Sequence, residues 1–112
     1  MGTQLAANAV TLTVIGHVNP YTCIGTNRAP AAPGQAIYGI AGLEGGTDEP
    51  TMVNISGICT AEIGGAVSAD DDLEVGPDSQ LIKAVDGKVV ARAQQAGAVK
   101  GERIDVLMLA LQ

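Results

Sequence analysis

Aromatic side chains are almost missing from this chain: 112 residues hold two Tyr, no Phe and no Trp. Sites that stack sugar rings or bases need aromatic faces, so any such recognition rests on Tyr21 and Tyr38 alone. Cations are scarce too. Six Lys and Arg stand against twelve Asp and Glu, a net charge of −6. No basic patch with interleaved aromatics exists, which argues against direct nucleic-acid binding. There is one histidine, His17. A general base needs an orienting partner and a nucleophile in reach, and no Ser-His-Asp or Cys-His pattern supplies them. His17 is therefore expected on the surface or in a turn, and the chain is not expected to be an enzyme. The two cysteines, Cys23 and Cys59, have no metal-site spacing. Both are expected to be free, with Cys59 serving as a small hydrophobe inside a strand. No glycine-rich piece has the form of a phosphate loop. No cofactor and no metal are expected. The chain has no apolar run of about 18 residues, so no membrane span is expected. The first residues lack the charged and apolar regions of a secretory leader, which fits synthesis in a reducing cytoplasm.

What is present is small and apolar. Hydrophobic residues make up 46% of the chain, and Ala, Val and Gly carry most of the apolar character. Small side chains each bury little area, at roughly 25 cal/mol per Å². Part of the stability is accordingly expected from a partner surface. The length suits one domain. Charge is unevenly spread: residues 44–78 hold nine carboxylates and no Lys or Arg, whereas residues 79–112 hold five basic and three acidic side chains. Either the loops are charged for solubility, or the two regions meet between subunits.

The pattern along the chain predicts an all-β fold, a small β-sandwich or barrel-like module of seven to nine short strands. Residues 1–10 are small and polar and read as a flexible N-terminal arm; residues 11–112 read as a single β domain. Residues 11–16 are rich in β-branched side chains and predict a strand. Pro20, Pro30 and Pro33 exclude a long central strand across residues 20–33, and residues 28–34 are expected to be extended and exposed. Residues 36–43 predict a buried strand. Residues 52–63 alternate, with Val53, Ile55, Gly57, Cys59, Ala61 and Ile63 on one parity, which predicts a long strand with one face in a core. Asp86-Gly87, between apolar residues 81–85 and 88–93, predicts a two-residue hairpin turn. Asp70, Asp71 and Asp72 lack the spacing of a calcium loop and read as a solvated turn. Residues 102–111 predict a last strand, apolar on both parities, that is either central or covered by a neighbouring chain.

Tyr38-Gly39-Ile40-Ala41, residues 45–49, 53–58 and 61–69, the Asp86-Gly87 turn within 84–88, and residues 101–107 form an ordered series. In that series the chain resembles small tailed-phage capsid decoration, or cement, proteins, over roughly residues 11–109. The resemblance implies a structural protein that binds the outer surface of the expanded major capsid shell and stabilises it against internal pressure. It implies the major capsid protein and further copies of the chain as partners, commonly as a homotrimer and in some cases a dimer. It also implies a place on the outside of the virion after synthesis in the bacterial host. On this reading the arm would dock by strand addition through Thr3, Gln4, Leu5 and Val10. Tyr21, Tyr38, Leu107 and Leu109 would contact neighbouring subunits. The second reading is a carbohydrate- or surface-binding β module of a phage fibre or adhesin.

Overall fold

In a computed structural model of the chain the described residues are 8–109. They form ten strands and one single-turn 3-10 segment, Pro77–Ser79. The strands are β1 (Asn8–Thr13), β2 (His17–Val18), β3 (Cys23–Gly25), β4 (Ile37–Ala41) and β5 (Gly46–Thr47). They continue as β6 (Pro50–Glu62), β7 (Asp72–Val75), β8 (Leu81–Lys83), β9 (Ala91–Ala93) and β10 (Arg103–Met108). The fold is all-β, as the sequence pattern predicts. The main sheet runs β3-β4-β6-β10-β9-β7-β8, β1 adds to β6, and β2 pairs with β5. All strand pairings are antiparallel. Ile63, one residue beyond β6, makes a parallel bridge to Leu81 of β8. Gly64 N–H also donates to the Leu81 carbonyl at 2.8 Å. The sheet thus returns from β8 to the end of β6 as a nearly closed barrel.

The 13-residue β6 is the hub. Its first half pairs with β1 on one edge and with Ile40 and Ala41 of β4 on the other; its second half pairs with β10. Val53 belongs to a smaller core with Leu12, Val14, Val18, Ile24 and Ala41. Cys59, Ala61 and Ile63, of the same parity, belong to a larger core with Ile40, Leu73, Leu81, Ile104 and Val106. Directly opposed residues share a face of the sheet. Ile40 lies opposite Asn54 and faces the larger core, so before residue 55 the even positions face that way. After residue 58 the odd positions do. Gly57, with φ of 81°, sits in this change-over. The predicted alternation is present, but one parity serves two cores instead of one.

Four other expectations need correction. The domain begins earlier than residue 11: β1 starts at Asn8, and Val10 is paired with Val53 and packs against the smaller core. Residues 28–34 are not wholly exposed. Pro30 bridges Ile24, Ala31 N–H donates to Cys23 O at 3.0 Å, and Ala31 is buried. The Ser79 hydroxyl donates to Ala31 O at 2.8 Å, which fixes this proline-rich segment to the barrel. Leu43 is not in the buried strand, which ends at Ala41. Finally, residues 81–85 and 88–93 do not form a hairpin. β7 lies between β8 and β9 and pairs with both, so residues 84–90 must cross over β7. The last strand, β10, is central, flanked by β6 and β9.

Candidate functional site

Most residues that could do chemistry are already engaged or enclosed. His17 is exposed, with Nδ1 2.7 Å from Thr47 Oγ1, which ties β2 to β5, and Nε2 2.9 Å from Asn19 Oδ1. Cys23 and Cys59 are free thiols in the larger core. Burial, with a smaller contribution from Cys59, pushes the Cys23 thiol far up, and burial, then the Asp105 charge, pushes Cys59 up to about 11. Neither is a ready thiolate at neutral pH. Asp71 accepts from Ser68 N–H at 2.9 Å, and Asp72 pairs with Arg92 at 3.3 Å. Among the described residues, no group of three or more His, Cys, Asp or Glu is placed to hold a metal. None of their helices is long and apolar enough to cross a membrane.

A polar chain closes the seam of the barrel. Arg103 stacks on Tyr21, with Cζ 4.7 Å from the ring centroid, and approaches Glu62 at 3.8 Å. Glu62 accepts from Gln80 Nε2 at 2.7 Å. Lys100 then donates to Gln80 Oε1 at 2.8 Å and to Asp78 at 3.1 Å. These side chains join the end of β6 to the start of β8, where the backbone supplies few bonds. The network is structural reinforcement in which all partners are internal.

The exposed apolar groups lie elsewhere. A cleft of about 430 Å³ opens between the β4–β5 loop and the start of β6, lined by Gly42, Leu43, Glu44, Glu49, Pro50 and Met52 among others. Leu43 is 65% exposed and Met52 61%. The loop that forms one wall needs glycine: Gly45 has φ of 64°, and a Cβ there would lie 2.5 Å from the Val18 carbonyl. Asp48 accepts from Gly16 N–H at 2.7 Å and Glu49 from Thr47 N–H at 3.2 Å, so the acidic rim also braces its own turn. Such a cleft can take an apolar side chain flanked by cations. At another point of the surface the crossover 84–90 carries Val85, 81% exposed, and Val89, 37% exposed. Beneath it Glu74 is buried and accepts from the amides of Val85 and Gly87. Those amide bonds hold its carboxyl below the usual carboxylate range against the opposing effect of burial.

The residues singled out in the sequence are dispersed over the fold. Thr3, Gln4 and Leu5 lie outside the described residues. Val10 and Tyr38 are brought together at the rim of the smaller core. Tyr21, with φ of 62°, lies under Arg103. Leu107 pairs with Ile58 and with Arg92, and its half-buried side chain points out of the barrel, opposite in parity to Val106 and Met108. Leu109 is half-buried, and its amide donates to Val90 O at 3.1 Å. Leu43, Met52, Val85 and Val89 carried no periodic signal; the glycines and carboxylates beside them were the only hint that they leave the core. Comparison of the chain with protein-family models, with curated proteins and with solved structures gave no match.

Proposed function

We propose that this protein is a structural decoration module that binds the outside of a phage capsid shell and stabilises it. One observation carries the reading. The barrel fills its interior with its own side chains, while large apolar groups stand exposed on loops at its surface: Ile15, Leu43, Val85 and Val99. A clamp requires such a body, rigid inside and adhesive at several outlying points, since multivalent attachment lets weak contacts add up. The stretches that resemble cement proteins supply framework strands: Tyr38-Gly39-Ile40-Ala41 lies in β4, residues 53–58 in β6 and Arg103-Ile104-Asp105-Val106-Leu107 in β10. Because β1 begins at Asn8, Val10 belongs to the framework and is not available as part of a docking arm.

The test is co-sedimentation with expanded heads made from the major capsid protein encoded in the same genome. Saturable binding and a higher temperature of head disruption are expected. Heads that sediment without the protein would refute the reading. A fibre or adhesin role has less support, because Tyr21 is capped by Arg103 and Tyr38 packs against the smaller core.

A further inference from the structure

We infer that the crossover loop 84–90 of one copy of this chain docks into the acidic cleft between Leu43 and Met52 of another, a head-to-tail contact between copies. The loop has the form of a rigid knob. Its backbone is held by Ala84 N–H to Asp72 O at 2.8 Å, Lys88 N–H to Gly34 O at 3.0 Å and Val90 N–H to Leu73 O at 2.9 Å. The Glu74 carboxylate holds it from below through the amides of Val85 and Gly87. Gly87 lets the chain pass this close: a Cβ there would lie 2.3 Å from Glu74 Oε2 and 2.6 Å from Gly34 Cα. At the tip of this braced loop stands Val85, the most exposed of the large hydrophobics among the described residues. A loop fixed in advance loses little freedom on docking.

Charge decides the occupant. Of the basic side chains among the described residues, Arg92, Lys100 and Arg103 are in internal ion pairs, whereas Lys83 and Lys88, on either side of Val85, are exposed and are not. On the cleft, Glu44 and Glu49 are exposed and in no ion pair, and Asp48 stands next to Glu49 outside the lining. Arg28 is the one other such cation, on a loop bonded to Ile15, and it leaves this end net negative. Within the loop Asp86 offsets Lys88, and Lys83 at the end of β8 brings the exposed side chains around the tip to one net positive charge, above a Glu74 carboxylate that is engaged by the loop amides. The apolar tip with a basic rim matches the apolar cleft with an acidic rim, and the chain presents both. The two surfaces share no residue, so the contact is heterologous: copies either close into a ring or continue as a filament. A single knob falls short of the roughly 1,000 Å² expected of a stable interface, so association should depend on concentration until a ring closes. The inference is independent of binding to a shell.

Sedimentation and light scattering on the full chain from micromolar to millimolar concentration provide the test. The wild type should rise from the 11.2 kDa chain mass, to a fixed multiple if a ring closes and without a plateau if a filament grows. The knob variant Val85→Asp/Lys88→Glu should weaken association by roughly tenfold or more because like charges then meet, and the cleft variant Met52→Asp by a similar factor because a carboxylate replaces the apolar surface that receives Val85. All three substitutions are at exposed positions, and circular dichroism should show an unchanged fold. Mixed together, the two variants should form one-to-one pairs that grow no further, because only one intact knob meets one intact cleft. A wild type that stays monomeric over the whole range would overturn the inference. So would variants that assemble as the wild type does, or a mixture that stays monomeric up to millimolar concentration.

Discussion

The two cores of this protein are closed in different ways. The larger one lies inside the ring β6-β10-β9-β7-β8, and Leu73, Leu81 and Ile104 in it are at most 1% exposed. The smaller one lies under β1, which among the described residues has a single strand neighbour, β6. Its own Leu12 is 7% exposed, and Val10, Tyr38 and Ile55 at its rim are half-buried. A wall supported on both edges must break several pairings before it opens, whereas an edge strand peels away by breaking one. Stability should therefore be unevenly distributed, with the barrel opening only globally and β1 opening locally.

The largest expected effect is in the barrel. Leu73→Ala should cost about 4 kcal/mol, toward the upper end for such truncations, because a site enclosed on all sides cannot collapse around the cavity. Urea unfolding should show a lower midpoint with an unchanged slope. Leu12→Ala should cost about 2 kcal/mol, since the edge strand can settle into the space left behind. Equal losses at the two positions would break the distinction. Hydrogen exchange sharpens it without mutation: amides of β1 should exchange through low-energy local opening, and those of β10 near the global limit.

Gly57 joins the two regions, and its replacement comes next in size. With φ of 81° it occupies backbone space that costs an L-residue about 1–2 kcal/mol, so Gly57→Ala should lose that amount in thermal or urea unfolding. A variant as stable as the wild type would mean that the change of face within β6 does not need this glycine.

Glu74 is the acid-sensitive point of the barrel wall. Its folded-state pKa is depressed, first by the bond from Val85 N–H and then by that from Gly87. A depressed carboxylate contributes stability that is present above its ordinary value of 4.5 and is lost as pH falls through the lower folded-state value. Glu74→Gln should thus be less stable than wild type near pH 7, and the gap should narrow as pH falls below 4.5 in paired urea curves. A gap that stays constant with pH would assign the loss to shape instead of charge.

The strands with strong local patterns were legible. Residues 52–63 alternate, and β6 spans Pro50–Glu62. The apolar run of residues 36–43 predicts a buried strand, and β4 covers Ile37–Ala41 of it. The elements misread are those decided by distant partners. Asp86-Gly87 looks like a hairpin turn locally, but the Glu74 carboxylate takes the amides of Val85 and Gly87, and β7 takes the pairing that β8 and β9 would have made with each other. Two cores served by one parity of β6 cannot be seen in an alternating pattern, because parity does not report which side of the sheet is filled. Gly57 was the only local sign. The cleft was equally hidden: Leu43 continues the apolar run of β4 in sequence, and only the bonds Gly42 N–H to Met52 O at 2.9 Å and Gly45 N–H to Gly42 O at 3.3 Å turn it outward.

The smallest effect is expected on the barrel's outer face. Asp72 and Arg92 are directly opposed across β7 and β9, with their nearest charged atoms 3.3 Å apart. The pairing is well placed for a cross-strand attraction. Yet the side chains are 52% and 49% exposed, so water and salt screen the charges and both chains lose freedom in meeting. Asp72→Asn should therefore change stability by less than about 1 kcal/mol, and the change should shrink further in high salt. The Asp72 carbonyl, which accepts from Ala84 N–H at 2.8 Å, is unaffected by this substitution. A loss comparable to that of Leu73→Ala, or one insensitive to salt, would show that the barrel is held at its surface as much as in its core.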